Sequence, residues 1–184
     1  MKRRSTVAQE TTNSESNDLQ VLIAQGLKFA ESEQYAEAIA SYEQAIQLQP
    51  QNPNARYHRA EVLANLGKYE QALAGFDQVI QLQPNHAAAW VFRAVMLIYL
   101  HRYQEALDSC DRVLTIQPDH PEAWTFRGVS LYYLGRYELA YASYNRATGT
   151  PQRSLWQRLM QGLSRLFRWL KRQLSQNRSS IVDR

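Results

Sequence analysis

The chain lacks the features that define several common protein classes. Among its 184 residues there is a single cysteine, Cys110, so no internal disulfide can form, which is typical of a reducing compartment. It contains no apolar run of about 18 residues, so we expect no membrane-spanning helix. The basic start of the chain is not followed by an apolar run, so we expect no secretory signal. These absences predict a cytoplasmic protein.

Motifs of catalysis and of cofactor binding are also missing. The sequence contains no GxxxxGK[ST] phosphate loop, no GxGxxG and no GxSxG nucleophile elbow. The four histidines form neither an HExxH nor an HxxxH pair, and Cys110 has no second cysteine with which to hold a metal. We therefore predict a protein that is not an enzyme and has no cofactor or metal site. Cys110 is predicted to be a buried, inert thiol.

Charge is divided unevenly along the chain. Residues 1–150 carry 13 basic and 16 acidic side chains, a net charge of −3, whereas residues 151–184 carry 8 basic and 1 acidic, a net charge of +7. The high isoelectric point therefore belongs to the tail. A basic tail on a slightly acidic body predicts that the tail meets a local anionic surface, and nucleic acid is not an expected partner of the body.

A period of 34 residues runs through the chain. Pro50, Pro84 and Pro118 recur at this interval, and a fixed period of this size indicates a repeat array. Small residues, large apolar residues and tyrosines recur in phase with the prolines. These sets are Gly26, Ala60, Ala94 and Gly128; Phe29, Leu63, Leu97 and Leu131; and Tyr35, Tyr69, Tyr103 and Tyr137.

Each unit of this array is predicted to be a pair of helices. Its apolar residues fall at helical spacing in two blocks, which are split by a turn such as LGKY or LGRY. The small residues allow the two helices to approach closely, and the proline after the second block stops that helix. Because one helix pair cannot bury its apolar face alone, the units must stack.

The segment AWVFRAVMLIYLHRYQEALDSCDRVLTIQPDHPEAW resembles a tetratricopeptide repeat followed by the start of the next one. The resemblance covers about residues 19–150 and implies an all-α fold, a right-handed α-solenoid of stacked antiparallel helix pairs. The predicted organisation is a disordered tail (1–18), four repeats (19–52, 53–86, 87–120 and 121–152), a basic amphipathic capping helix (153–176) and a second disordered tail (177–184).

The repeats depart from the family pattern at a few positions. Trp90 and Trp124 keep the tryptophan that usually opens a repeat, whereas Leu22 and Arg56 replace it in the first two units. In the fourth unit ATGTPQR replaces the closing pattern VIQLQPNH. We therefore expect the second helix of that unit to end early.

In the family that these repeats resemble, the first helix of each repeat lines a concave groove that binds another protein. Part of the family binds the terminal carboxylate of chaperones, and the matching positions here are Ile23, Leu27, His58, Ala88 and Phe92. They supply no lysine or arginine, so we expect no chaperone-tail binding. What remains is a groove for an apolar helix or extended peptide, although apolar residues at helical spacing equally indicate burial between helices. The groove candidates are Tyr57, His58, Glu61, Val91, Phe92, Val95, Tyr99, Phe126, Val129, Tyr132 and Tyr133.

Arg59, Arg93 and Arg127 repeat with the same period. They could form a basic ladder for an acidic partner or pair with local carboxylates such as Asp77 and Asp111. We favour local pairing, because arginine stems pack well beside apolar surface while the guanidinium groups find nearby acids.

Residues 155–174 form an amphipathic pattern. On a helix, their apolar side chains cover about half the circumference and their cations the other half. Three interpretations stay open: a cap on the last repeat, an interfacial helix on an anionic membrane and a helix that a partner protein binds. An RNA-binding tail is disfavoured, because such tails need no wide apolar face. The residues assigned to membrane or partner contact are Trp156, Arg165, Phe167, Arg168, Trp169, Leu170, Lys171 and Arg172.

These patterns predict a non-catalytic scaffold or assembly factor that binds a partner protein through the groove. The alternative is a peripheral adaptor at the inner face of a membrane, in which the tail sets the location and the groove sets the partner. The two differ in what they require: a scaffold needs the groove aromatics and tolerates charge reversal in the tail, whereas an adaptor needs the tail's cations and aromatics.

Overall fold

The structure is a computed structural model that describes residues 3–149, with side chains from residue 16 onward. Within these residues the chain forms eight α-helices and no strand, which confirms the all-α fold class. The helices are α1 (Arg3–Glu31), α2 (Tyr35–Leu48), α3 (Pro53–Asn65), α4 (Tyr69–Leu82), α5 (Ala87–Tyr99), α6 (Tyr103–Ile116), α7 (Pro121–Tyr133) and α8 (Tyr137–Ala147).

The helices stack as four consecutive pairs. Helix α1 packs on α2, α3 on α4, α5 on α6 and α7 on α8, and the second helix of each pair packs on the first helix of the next pair. Only three residues separate the helices of a pair, so the two helices run antiparallel. This arrangement confirms the predicted α-solenoid of stacked helix pairs.

The first helices of the second, third and fourth pairs (α3, α5 and α7) each begin with a side-chain cap. Asn52 Oδ1 accepts a hydrogen bond from the backbone N–H of Asn54 at 2.9 Å, and His86 Nδ1 accepts one from Ala89 at 3.1 Å. His120 caps α7 in the same way. A cap of this kind satisfies one of the backbone N–H groups that the first turn leaves without a partner.

The turn inside each pair places one residue in the left-handed region. The four residues are Glu33 (φ 58°), Gly67 (φ 72°), His101 (φ 59°) and Gly135 (φ 75°), at intervals of 34. Glycine adopts this conformation without a Cβ clash, whereas other residues adopt it at a cost. The turn is therefore the same in all four pairs, although its sequence is not.

The small residues on first helices allow an aromatic ring to lie directly against the backbone. A Cβ atom added to Gly26 would lie 2.5 Å from Tyr42 Cε1, and one added to Gly128 would lie 2.5 Å from Tyr144 Cε1. No side chain fits at either position without displacing the ring. The packing role that the sequence predicts for the small residues is confirmed at both ends of the array.

The core lies between the two helices of each pair and between neighbouring pairs. The same repeat position is buried in α2, α4 and α6, where Tyr42, Phe76 and Cys110 are 0%, 0% and 1% exposed. Burial raises the pKa of the Cys110 thiol to about 12, so the thiol is protonated at neutral pH. Cys110 is the buried, unreactive thiol that the sequence predicts.

Helix α1 extends into the segment that the composition predicts to be disordered. It begins at Arg3, well before the predicted start of the first repeat at residue 19. Residues 3–18 contain neither proline nor glycine, so no residue there interrupts a helix. The structure differs from the predicted N-terminal disorder over these residues.

The end of the array follows the predicted shortening of the fourth unit. Helix α8 ends at Ala147 after 11 residues, whereas α2, α4 and α6 each have 14. The predicted basic helix (153–176) and the predicted tail (177–184) lie outside the described residues. None of the described helices is long and apolar enough to cross a membrane.

Candidate functional site

The first helices form the inner layer of the stack. Helix α1 contacts α3, and α5 contacts α7, whereas within residues 3–149 no two second helices are in comparable contact. Since the first helices approach one another more closely than the second helices do, they lie on the concave side of the array. Every groove candidate described here belongs to α3, α5 or α7.

An apolar cavity of about 390 Å³ lies on the inner face between α5 and α7. Val91, Phe92 and Val95 come from α5, and Phe126 comes from α7. All four are predicted groove residues. Phe92, Val95 and Phe126 also pack partly against the hydrophobic core, so they form a rigid apolar wall. The remaining lining residues are Ala88, His120 and Glu122.

A second cavity of about 300 Å³ lies between the C-terminal ends of α1 and α3. Phe92 lines this cavity as well as the apolar one, so the two are neighbours. We call them the acidic cavity and the apolar cavity. The acidic cavity is lined by Leu27, Ala30, Glu31, Tyr42, His58, Glu61, Val62, Asn65 and Phe92.

The acidic cavity holds a histidine–glutamate pair. His58 Nδ1 lies 2.8 Å from Glu61 Oε2, and their side chains are 27% and 30% exposed. The ring of His58 stacks on that of Tyr42 at a centroid distance of 5.9 Å. His58 and Glu61 are predicted groove residues, and the structure brings them together on one turn of α3.

Tyr42 has the one buried side-chain polar atom without a hydrogen-bond partner among the described residues. Its side chain is 0% exposed, and its Oη atom makes no hydrogen bond. Burial, together with the negative charges of Glu61 and Glu31, raises the pKa of Tyr42 to about 12. The phenol is therefore neutral, and it lies close enough to both carboxylates to feel their charge. The sequence gives no signal for this hydroxyl, because tyrosine at a core position is usually read as packing.

Tyr57 packs against neighbouring aromatic rings and lines neither cavity. Its ring packs edge-on against Phe76 and Phe92, at 5.8 and 5.9 Å, and stacks on His86 at 5.1 Å. Burial raises its pKa, and the charge and a hydrogen bond of Glu61 raise it further. Tyr57 thus has the interhelical packing role that apolar residues at helical spacing equally indicate.

The other groove candidates lie apart from both cavities. Tyr99 and Tyr133 are 56% and 58% exposed at the C-terminal ends of α5 and α7. Tyr99 stacks on Tyr69 at 4.5 Å, and Tyr133 on Tyr103 at 4.6 Å. Tyr132 and Val129 are also on α7, where Tyr132 contacts Tyr137 and Val129 is half-buried.

The periodic arginines pair with local carboxylates, as their pattern in the sequence predicts. Each lies beside a carboxylate from the preceding second helix: Arg59 Nη2 is 2.9 Å from Glu43, and Arg93 Nε is 2.7 Å from Asp77. Arg127 repeats the contact with Asp111 at 2.7 Å. These cations are neutralised within the array, so they form no free basic ladder.

The described residues offer no cluster for metal binding. Among them, no group of three or more histidine, cysteine, aspartate or glutamate side chains could hold an ion. The cavities of the described inner face are lined by apolar side chains, aromatic rings and carboxylates.

Two segments of the chain match known repeat families. Residues 31–113 match the family described as "Anaphase-promoting complex, cyclosome, subunit 3", and residues 98–154 match the family "Tetratricopeptide repeat". No curated protein matches the chain in sequence.

Solved structures share this fold. "Crystal structure of MamA" has a TM-score of 0.69 and 15% identity and covers 77% of this chain and 83% of its own. "MamA RS-1 ArsTM double mutant" has a TM-score of 0.68 and 22% identity over 72% and 75% of the two chains. "First TPR of Spaghetti (RPAP3) bound to HSP90 peptide SRMEEVD" has a TM-score of 0.63 and 26% identity over 65% and 95%. At such identities the two MamA structures are evidence for the fold alone.

Proposed function

This chain is a tetratricopeptide-repeat protein, and from that premise we propose that it is a non-catalytic scaffold whose concave face binds an apolar segment of a partner protein. Its repeats are protein-interaction modules. The observation that carries the proposal is the apolar cavity between α5 and α7. Apolar and aromatic side chains converge there on a preformed surface, which is how helix or peptide ligands are anchored.

The side chains of the acidic cavity argue against an acidic peptide as ligand. The solved repeat domain named above is bound to an HSP90 peptide, SRMEEVD, whose C-terminal half is acidic. In this chain the acidic cavity instead carries Glu31 and Glu61, and no lysine or arginine is among the residues that line it. An acidic tail would meet like charge, which costs binding energy. The proposed partner is therefore not a chaperone tail.

The experiment is a selection of random displayed peptides on the immobilised full chain. Selected peptides are labelled and titrated by fluorescence anisotropy against the chain and against the variant Val95→Glu, which places a charge in the apolar cavity. The control is Leu139→Glu on α8, where Leu139 is 51% exposed. The earlier repeats carry Glu37, Gln71 and Glu105 at this position, so the control introduces a residue type that the array already uses.

The proposal predicts peptides rich in apolar residues, with affinity lost in Val95→Glu and kept in Leu139→Glu. A charge left in an apolar contact costs several kcal/mol, so the loss is expected to be about a hundredfold or more. Selected peptides that bind both variants equally well would place the binding surface elsewhere and overturn the proposal.

A second function rests on the tail. We propose, as the alternative, that residues 151–184 attach the chain to an anionic membrane, because this segment has a net charge of +7 and each cation near such a surface contributes about 1 kcal/mol. The test is co-sedimentation of the full chain with anionic and with neutral vesicles. The variant reverses four tail charges (Arg165, Arg168, Lys171 and Arg172 to Glu), and the control reverses the other basic cluster (Lys2, Arg3 and Arg4 to Glu).

Binding to anionic vesicles that only the tail variant loses supports attachment. Binding that both variants lose equally indicates general charge attraction and contradicts a tail-specific site. If the full chain binds neither kind of vesicle, and removal of the tail lowers the melting temperature, the tail stabilises the array as a cap instead.

A further inference from the structure

We propose that the groove selects a segment with a cation beside an apolar side chain: a lysine or arginine enters the acidic cavity, and its apolar neighbour enters the apolar cavity. This inference rests on the proposed function, since it specifies the ligand of the same concave face. The two cavities share Phe92, so one ligand segment reaches both.

The acidic cavity has the electrostatics of a cation site. Glu31 and Glu61 line it, and no lysine or arginine is among its lining residues. Glu31 is the last residue of α1, and Asn65 is the last residue of α3. Helix C-termini carry partial negative charge, so two helix ends and two carboxylates favour a positive group at the same place.

The two carboxylates are incompletely neutralised by the chain itself. Glu61 pairs with His58, and an imidazole is a weaker ionic partner than a lysine or arginine because it carries a positive charge only when both ring nitrogens are protonated. Glu31 makes no ion pair within the described residues. This contrasts with the carboxylates of Glu43, Asp77 and Asp111, each of which is held by an arginine of the periodic set.

The hydroxyl of Tyr42 is a second and independent indication of a ligand. It is buried at 0% exposure without a hydrogen-bond partner, and a buried unsatisfied polar group costs stability. The second and third repeats have Phe76 and Cys110 at this position, so packing does not require a hydroxyl. A cation in the cavity gives the phenolic oxygen a donor, since lysine and arginine N–H groups donate and the oxygen accepts.

Aromatic faces complete the site. Tyr42 and His58 stack on each other, and both line the cavity together with Phe92. Rings in such a cavity attract a guanidinium or ammonium group through their electron-rich faces. The cation's aliphatic stem can meanwhile pack along Leu27 and Val62. Beyond Phe92, the apolar cavity is lined by Val91, Val95 and Phe126 together with Ala88, His120 and Glu122, and its apolar side chains suit an apolar side chain of the ligand.

The experiment uses short fluorescein-labelled peptides with the full chain. Each contains one arginine and one leucine or phenylalanine at varied spacing, and each is made in matched forms in which citrulline or glutamate replaces the arginine. Citrulline has nearly the shape of arginine but no charge. We expect the arginine form to bind about tenfold more tightly than the citrulline form, the glutamate form to bind weakest, and the difference to shrink as salt rises.

Variants connect the preference to named residues. Glu31→Gln and Glu61→Gln are each expected to reduce the arginine–citrulline ratio, and the double variant to remove it. Tyr42→Phe is expected to weaken binding of the arginine form a few-fold without lowering the melting temperature, which separates a ligand role from a packing role. Glu70→Gln is the matched control, because Glu70 is exposed at the start of α4 and lines neither cavity.

The outcomes distinguish a failure of the cation site from a failure of the proposed function. Equal affinity for arginine and citrulline forms, with binding still lost in Val95→Glu, overturns the cation site and leaves an apolar groove. An arginine preference that survives the double variant places the cation elsewhere and also overturns the inference. If no peptide, displayed or synthetic, shows binding that depends on Val95, both the proposed function and this inference fail.

Discussion

The guanidinium group of Arg56 donates two hydrogen bonds to the carbonyl oxygen of Pro50, from Nη2 at 2.8 Å and from Nε at 3.1 Å. Trp90 makes the corresponding bond to Pro84 through Nε1 at 2.9 Å in the next repeat. Arginine thus takes over the structural task of the tryptophan that it replaces. The bond holds the start of one helix pair to the end of the preceding pair.

Replacement of Arg56 tests this equivalence. Arg56→Trp is expected to keep the stability of the chain within about 0.5 kcal/mol, because the indole N–H restores one bond and the ring adds buried area. Arg56→Met keeps much of the stem but no donor, so we expect a loss of about 1 kcal/mol. Urea unfolding measured by circular dichroism gives both values. If Met and Trp are equally stable, the bonds to Pro50 contribute nothing.

The turn residues provide a test of backbone conformation alone. A Cβ atom at Gly67 would have no atom within 4 Å, so Gly67→Ala adds no clash and acts only through its φ of +72°. We expect it to destabilise the chain by about 1 kcal/mol. Glu33 holds the equivalent conformation without being glycine, so Glu33→Gly is expected to have the opposite sign. Thermal unfolding of both variants checks the pair, and effects of the same sign would contradict the explanation.

The buried hydroxyl of Tyr42 predicts a stabilising substitution. Tyr42→Phe removes a polar atom that has no partner in the folded state, so we expect a gain of about 1 kcal/mol in the free energy of unfolding. Tyr144→Phe, at the equivalent position of the fourth repeat, is the control, since its oxygen is not a buried unpaired atom. A loss of stability in Tyr42→Phe alone would mean that the hydroxyl has a partner in solution.

Cys110 predicts both a reactivity and a pH dependence. With its pKa at about 12, roughly one thiol in ten thousand is ionised near pH 8, so a thiol reagent should react only as fast as the chain opens. Its ordinary pKa is near 9, and the folded value is higher, so the unfolded state loses its proton first. Stability therefore falls as pH rises from about 9 to about 12. Rapid labelling of the native chain at about pH 8 would contradict a buried, protonated Cys110.

The arginine set predicts a graded cost. Besides its carboxylate, Arg93 donates to Ser109 Oγ at 2.6 Å, and Ser109 is fully buried. In the preceding repeat, the residue equivalent to Ser109 is Gly75, so Arg59 gains no such bond. We expect Arg93→Ala to cost about 1–2 kcal/mol and Arg59→Ala about 0.5 kcal/mol, since a half-exposed ion pair alone contributes little. Chemical denaturation ranks the two, and equal costs would show that the serine bond is unimportant.

Much of the fold could be predicted because packing in this array is periodic. The small residue at Gly26, for example, recurs in phase, and the structure shows an aromatic ring lying against it. The local pairing of Arg93 was predictable for the same reason, since an acid recurs in phase with it on the preceding helix. A repeat makes each contact visible several times in one sequence.

Features that leave no periodic signal in the residue types were not predictable in this way. The unpaired hydroxyl of Tyr42 depends on the exact position of one atom, and hydropathy does not record it. The left-handed backbone at Glu33 and His101 is hidden because the sequence there has no glycine. The polar composition of residues 1–18 predicts disorder, so it gives no indication that α1 begins at Arg3.

Some of the predicted groove residues line a cavity and others do not, and the reason is their position along the helix. Phe92 and Phe126 lie where α5 and α7 face each other, so they line a cavity. Tyr99 and Tyr133 each lie seven residues further along the same helices, at their C-terminal ends, and they stack on tyrosines there. Phase within a repeat identifies the inner helix, but position along that helix decides whether a side chain reaches the cavity.

Within residues 3–149, each helix pair packs only on its neighbours in sequence. A force applied to the two ends of such an array is carried through the interfaces in series, so the weakest interface yields first. Extension should then proceed in steps of about one repeat, and refolding should be fast because every contact closes a short loop. In mechanical terms, this part of the chain is a spring whose links can be released one at a time.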